Sequence, residues 1–211
     1  MTDERQLAEA WARGDTRAGR ALVASTYDAI VRFFRTKAGP EADDLVQRTF
    51  LVCSERVGTF SGDAPFRAFL FGIARNVLLE HYRSRTRDDR NVPDFHERSI
   101  ADLQPGVWSQ VARRDDERNL LRALQLLPLE SQILLELFYW EEVPIADLAV
   151  ILEVAPGTIK SRLHRAREAL QDAFAHLPEQ PVDPRTARVL LASWRKRTAA
   201  AHEAAREPTN R

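Results

Sequence analysis

The stretch PGTIKSRLHRAR, residues 156–167, sets Lys160, Arg162, Arg165 and Arg167 around Ser161 and His164, with Thr158 near its start. Cations interleaved with short polar groups suit duplex DNA. Guanidinium and ammonium groups neutralise phosphate, while a hydroxyl or imidazole reaches base edges in the major groove. A solvated helix more often alternates Glu with Lys in i,i+4 pairs. Here the nearest acid is Glu168, just past the end. At about 100° per residue, Ile159, Leu163, Ala166 and Leu170 share one arc, opposite Ser161, His164, Arg165 and Glu168. Burial of the apolar arc turns the polar set outward.

A second constellation lies over residues 65–84, where Phe66, Leu70, Ile73 and Val77 fall on one face. Phe71, Arg75 and Tyr82 fall on the other, flanked by Arg67, Leu78 and Leu79. Exposed aromatics among arginines suit single-stranded DNA, whose bases stack and whose phosphates need cations. The competing reading is that Phe71 and Tyr82 pack on a neighbouring helix. The amide of Asn76 can donate and accept, which suits a base edge. The loop GTFSGDAPF, residues 58–66, adds Ser61 and Asp63 as polar groups and Phe60 or Phe66 as an apolar wall.

Catalytic chemistry finds little support. His81, His96, His164, His176 and His202 lack metal-ligand spacing, and Cys53 sits in an apolar helical stretch as a small hydrophobe. With no glycine-rich phosphate loop and no paired carboxylates, neither catalytic residues, metal nor cofactor is expected.

The positioning elements are helical. A chain of 211 residues with 8 glycines, 44% hydrophobic residues and apolar residues at helical spacing reads as all-α, with no alternating strand pattern. Helices are expected at 3–12, 16–37, 41–57 and 65–84, with Asp63 as a candidate cap before Pro65. The polar stretch 86–107 reads as a flexible linker, and helical order resumes over 108–177. Residues 178–211 form an extension of open role, with a weak helical stripe over 185–206 that includes Trp194. Within the second helical domain, IADLAVILEV forms a short amphipathic helix, residues 153–155 turn, and Pro156 opens the basic helix. That order is a helix-turn-helix, although a plain helical hairpin with a basic solvated face shares the pattern.

Lys and Arg total 31, equal to Asp and Glu, so the net charge is zero and diffuse polyanion binding is disfavoured, whereas a local basic face is not. One cysteine rules out an intramolecular disulfide and fits a reducing compartment. The start MTDERQLAEAW lacks a basic-then-apolar signal pattern, and no apolar run approaches the roughly 18 residues needed to span a membrane. A cytoplasmic protein without membrane contact is expected.

The segment LPLESQILLELFYWEEVPIADLAVILEVAPGTIKSRLHRAREAL resembles the promoter-binding domain of bacterial RNA polymerase sigma factors of the extracytoplasmic-function group, within the sigma-70 family. DDLVQRTFLVCSERVGTFSGDAPFRAFLFGIARNVLLEHYRSR resembles the same group's polymerase-binding and strand-capturing segment. The likeness spans residues 6–177 and leaves the tail unmatched. It implies a region 2-like domain at 1–85 and a region 4-like domain at 108–177. It also implies an alternative sigma factor that binds core polymerase and recognises the upstream and melted promoter elements. A stand-alone helix-turn-helix regulator is the other reading, against which the strand-capture helix and the acidic segment at 41–49 speak.

The resemblance further implies roles. Lys160, Ser161 and His164 touch bases, Arg162, Arg165 and Arg167 hold phosphates, and Thr158 belongs to the same surface. Phe60, Ser61, Asp63, Phe71, Arg75, Asn76, Tyr82 and Arg83 serve the melted element, and Phe69, where the family often has tryptophan, is core. Asp43, Asp44, Gln47 and Arg48 face the coiled-coil clamp of polymerase β′, and the β flap is the second polymerase contact. An anti-sigma factor or a regulatory kinase is a further candidate partner. Three departures stand out: Glu153 where the family has glycine, Ala155 where it has a serine-like cap, and Arg48 where it has glutamate. Phosphorylation at Thr49, Thr59 or Ser61 is a candidate route to restore negative charge beside Arg48.

Overall fold

The computed structural model describes residues 4–85, 95, 97–99 and 115–177, the side chains of 115–118 apart. The expected linker lies mostly outside these residues, and the tail lies wholly outside them. Two helical domains make up the fold. The first contains α1 (Glu4–Ala12), α2 (Thr16–Ala38), α3 (Ala42–Arg56) and α4 (Phe66–Arg85). The second contains α5 (Asp115–Gln125), α6 (Leu129–Tyr139), α7 (Ile145–Ile151) and α8 (Pro156–Ala175). Among the described residues no strand occurs, only an isolated bridge between Ser99 and Pro128.

Local chemistry sets the helix ends. The Asp15 carboxylate accepts from the backbone N–H groups of Arg17 and Ala18 at 2.8 and 3.3 Å, capping α2. Gly39, at φ 52°, ends α2 in a conformation that most side chains resist. Pro40 then opens a single 3₁₀ turn into α3. The expected cap of α4 is corrected. The Phe66 N–H donates not to Asp63 but to the Glu4 carboxylate of α1, at 2.8 Å. The side chain that caps α4 comes from 62 residues upstream, so a local reading could not find it.

In the first domain α1 packs on α2, α2 on α3 and α4, and α3 on α4. Gly19 permits the first of these packings, because a Cβ there would lie 2.8 Å from the Trp11 ring. Phe34, Phe66, Leu70, Phe71, Leu78 and Tyr82 fill the interior. In the second domain α5, α6 and α7 pack around α8, whose Ile159, Leu163, Ala166, Leu170 and Phe174 are buried. The domains also meet, with α4 lying against α7.

The stretch expected as a tether has docked points. Phe95 is buried, and the Arg83 guanidinium lies 5.5 Å from the centre of its ring. The carbonyls of Phe95 and Arg98 accept from the N–H groups of Glu130 and Leu129, at 3.2 and 3.0 Å. Linker backbone thus satisfies the open first turn of α6.

Candidate nucleic-acid interface

The α7–turn–α8 unit is built as a helix-turn-helix. Leu152 ends α7, the Glu153 N–H donates to the Val150 carbonyl, and the Val154 N–H donates to the Ala149 carbonyl at 3.0 Å. This bond pair is a Schellman motif, which needs a left-handed residue at the position that Glu153 occupies. Glu153 does adopt φ 55°. Ala155 holds the extended conformation of a helix cap without offering a side-chain acceptor, and Pro156 follows at the first turn. Both departures from the preferred residues are therefore accommodated with the expected geometry.

With the apolar arc of α8 buried, Lys160, Ser161, His164 and Arg165 are exposed together, while Thr158 and Arg162 are half-buried beside them. Among the described residues no carboxylate pairs with Lys160, Arg162 or Arg165. His164 Nε2 lies 3.9 Å from Glu168 Oε1, a loose exposed pair. The Ser161 hydroxyl donates back to the Thr158 carbonyl at 3.0 Å and keeps acceptor lone pairs for an outside donor. Arg167 departs from the expected row. Its Nε donates to the Tyr139 hydroxyl at 2.9 Å, and its guanidinium lies near the Phe138 and Tyr139 rings. Arg167 braces α8 on α6 rather than standing free for phosphate.

The strand-capture helix needs more correction. The expected outward face of α4 is largely interior. Phe71 is fully buried, 5.8 Å from the Phe33 ring, and buried Tyr82 donates its hydroxyl to the Lys37 carbonyl at the end of α2. Burial pushes the Tyr82 hydroxyl pKa well above its ordinary value. Neither ring can stack on a base in this conformation. Phe60 and Phe66 belong to an aromatic cluster with Phe69 rather than forming an open wall. Ser61, Asp63, Asn76 and Arg83 are exposed, with the Asp63 N–H turned towards the Ser61 hydroxyl at 3.4 Å. Arg75 is also taken up, bound through Nε and Nη2 to the Glu130 carboxylate of α6. Only 13% of its side chain is exposed.

On α3, Asp43, Asp44, Gln47 and Arg48 share an exposed face. Leu51, 61% exposed, continues it one turn on, and Tyr27 stacks on Phe50 nearby at 5.8 Å. The charge of Arg48 is locally matched, because its Nη2 meets Glu80 Oε2 at 2.8 Å. Thr49 is fully buried and donates to the Leu45 carbonyl at 2.8 Å, so it is no phosphorylation site in the folded chain. Thr59 and Ser61 remain exposed. Cys53 is buried, and burial pushes its thiol pKa up to about 12, as suits a packing residue.

Sequence reasoning missed the acidic groups of the second domain. Glu130, Glu136 and Glu141 are buried and reach across to Arg75, Lys37 and the pair Arg32 and Arg67. Their signal lay in LESQILLELFYWEE, where acids interrupt an apolar run. Among the described helices none is long and apolar enough to cross a membrane.

Comparison with known proteins agrees with this geometry. Residues 22–88 match the family described as Sigma-70 region 2, and residues 117–170 match Sigma-70, region 4. The RNA polymerase sigma-H factor of Pseudomonas aeruginosa is 31% identical over 82% of this chain and 95% of its own length. The ECF RNA polymerase sigma factor SigC of Mycobacterium tuberculosis is 33% identical over 78% of this chain and 87% of its own. Among solved structures, CnrH in complex with the cytosolic domain of CnrY superposes with a TM-score of 0.58 at 25% identity. That superposition covers 81% of this chain and 96% of CnrH.

Proposed function

The chain belongs to the sigma-70 family of RNA polymerase sigma factors, in its extracytoplasmic-function group, and we propose from that footing how its residues divide the work. As an alternative sigma factor it binds core RNA polymerase and directs promoter-specific initiation by recognising upstream and melted promoter elements. In the upstream complex, α8 enters the major groove. Ser161 and His164 at the centre of the exposed face, with Lys160 beside them, contact base edges, and Arg162 and Arg165 hold phosphates on either side. Each good base contact is worth about 1–3 kcal/mol of discrimination.

In the first domain, Ser61, Asp63, Asn76, Arg75 and Arg83 serve the melted strand. The Asp43, Asp44, Gln47 and Arg48 face, extended by Leu51, meets the polymerase clamp. The proposed domain limits are 1–85 and 108–177, and the family matches at 22–88 and 117–170 support one unit in each half of the chain. The protein contributes binding and positioning to initiation, with the covalent chemistry left to polymerase, and it works in the cytoplasm where polymerase does. A protein that binds the sigma factor itself, such as an anti-sigma factor, is a fitting further partner, since the solved relative CnrH is described in complex with another protein, the cytosolic domain of CnrY.

The observation that carries this reading is the exposed Lys160, Ser161, His164 and Arg165 face, set by a Schellman turn in the same chain as a Sigma-70 region 2 match. Gel filtration of the purified chain with core polymerase tests it. A sigma factor elutes as a one-to-one complex, and Asp43→Lys/Asp44→Lys weakens that complex. A stand-alone regulator elutes apart from polymerase.

A further inference from the structure

Seven charged groups, from α2, α4 and residues 130–141, converge between the two domains. Glu141 is gripped by both Nε and Nη2 of Arg32 at 2.9 Å, and by Arg67, whose Nη1 also donates to the Glu141 carbonyl oxygen at 2.9 Å. Glu136 receives the Lys37 ammonium, the Thr36 hydroxyl at 2.9 Å and the Gln132 amide at 2.7 Å. Glu130 holds Arg75. Lys37 and Glu136 are almost wholly enclosed, at 0% and 3% side-chain exposure. Burial pulls the Lys37 pKa below its ordinary value, with Glu136 acting in the opposite direction.

This contact is unlike an ordinary core. Buried ion pairs gain little over a well-packed apolar contact, because both ions lose hydration that separation restores. Such pairs fix one docking geometry and can still be parted. The contact is also selective in what it covers. It engages Arg67 and Arg75 on the strand-capture helix, while Lys160, Ser161, His164 and Arg165 on α8 stay exposed. Glu130 and Glu141 offer those two cations what a DNA backbone offers, namely negative oxygen in reach of a guanidinium fork, while Glu136 holds Lys37 of α2.

We propose that Glu130 and Glu141 form an internal substitute for strand phosphate which, with the enclosed Lys37–Glu136 pair beside them, holds the free chain closed, so that melted DNA must compete for Arg75 and Arg67. In the closed chain the upstream-element face is available, and on the strand-capture side Ser61, Asp63, Asn76 and Arg83 stay exposed while Arg75 and Arg67 are held by carboxylates. Full strand capture therefore waits on separation of the two domains. This inference rests on the strand role assigned above to Arg75.

Two double variants of the full chain test it in opposite directions. Glu130→Gln/Glu141→Gln strips the carboxylates from three arginines and favours the open form. Lys37→Met/Glu136→Gln removes both enclosed charges, keeps an acceptor for Thr36 and Gln132, and favours the closed form. A fluorescent single-stranded oligonucleotide of mixed sequence reports binding by anisotropy, and small-angle X-ray scattering reports the radius of gyration. The first variant should expand and bind the strand roughly tenfold more tightly or better, since apparent affinity scales with the open fraction. Adding Arg75→Ala to it should remove most of that gain. The second variant should stay compact and bind no better than wild type. Glu55→Gln/Asp172→Asn, matched in charge to the first but away from the contact, should change affinity less than about twofold, in line with screening of distant surface charge. Absence of expansion in the first variant overturns the lock. Expansion without tighter binding overturns the strand role of Arg75 and the masking with it. Equal gains in the first variant and the charge-matched control reduce the effect to net charge and also overturn the proposal.

Discussion

Replacing Glu153 by glycine should stabilise the second domain, and the turn geometry sets the amount. Glu153 is exposed and adopts φ 55°, between the N–H···O bonds that close α7 on Val150 and Ala149. A left-handed non-glycine residue costs about 1–2 kcal/mol relative to its preferred conformations. Glycine releases that strain but gains freedom in the unfolded chain, which offsets about 0.4–1 kcal/mol. The net gain expected of Glu153→Gly is about 0.5–1 kcal/mol. At roughly 4–8 °C per kcal/mol for a small domain, the melting midpoint of the second domain should rise by about 2–8 °C. Thermal melts by circular dichroism measure the shift, and hydrogen exchange over residues 145–175 assigns it to this unit. Glu153→Ala is the control, because it keeps the left-handed strain and removes only an exposed side chain, for a change within about 0.5 kcal/mol. If Glu153→Gly is no more stable than Glu153→Ala, strain at this turn is not what the geometry implies.

Further outcomes follow from other residues. Ala155→Ser adds a missing acceptor at the start of α8, for about 1 kcal/mol of extra stability in the same melts. Ser161→Ala or His164→Ala should lower discrimination between promoter and scrambled duplex by about 1–3 kcal/mol. Arg165→Ala should instead weaken all duplexes alike and reduce the salt slope by about one, both read by anisotropy titrations across ionic strength. Thr49→Asp should destabilise the first domain by about 3 kcal/mol or more, because it places an unmatched carboxylate in the interior, whereas Arg48→Glu gives up only an exposed pair worth under about 1 kcal/mol. His81 titrates below its ordinary value, chiefly through burial and then through Arg85, with Arg48 adding and Glu41 opposing. The unfolded chain then binds more protons than the folded one below about pH 6.5, so first-domain stability should fall as pH drops through that range and His81→Leu should flatten the profile in urea melts.

Much of the second domain was legible because its helices are amphipathic and its turn is local. The apolar arc of α8 at Ile159, Leu163, Ala166 and Leu170 is the face that became buried, and the left-handed need at Glu153 could be read from the motif. The first domain was less legible where a third element intervened. A wheel for α4 separates two faces, but it cannot show that Phe33 meets Phe71 or that the Lys37 carbonyl waits for the Tyr82 hydroxyl. The Glu4 cap and the partners of Glu130, Glu136 and Glu141 lie on distant parts of the chain, and no periodicity links them. Phe95 shows the same limit, since a polar segment with one phenylalanine carries no mark of where that ring will dock.

Run-off transcription with purified core polymerase over a library of genomic fragments tests the central claim most directly. Wild type added to core should yield discrete start sites that core alone does not give, and Ser161→Ala/His164→Ala should erode the preference among those sites. Starts that are no different with and without the chain, or that survive removal of α8 unchanged, would contradict the account.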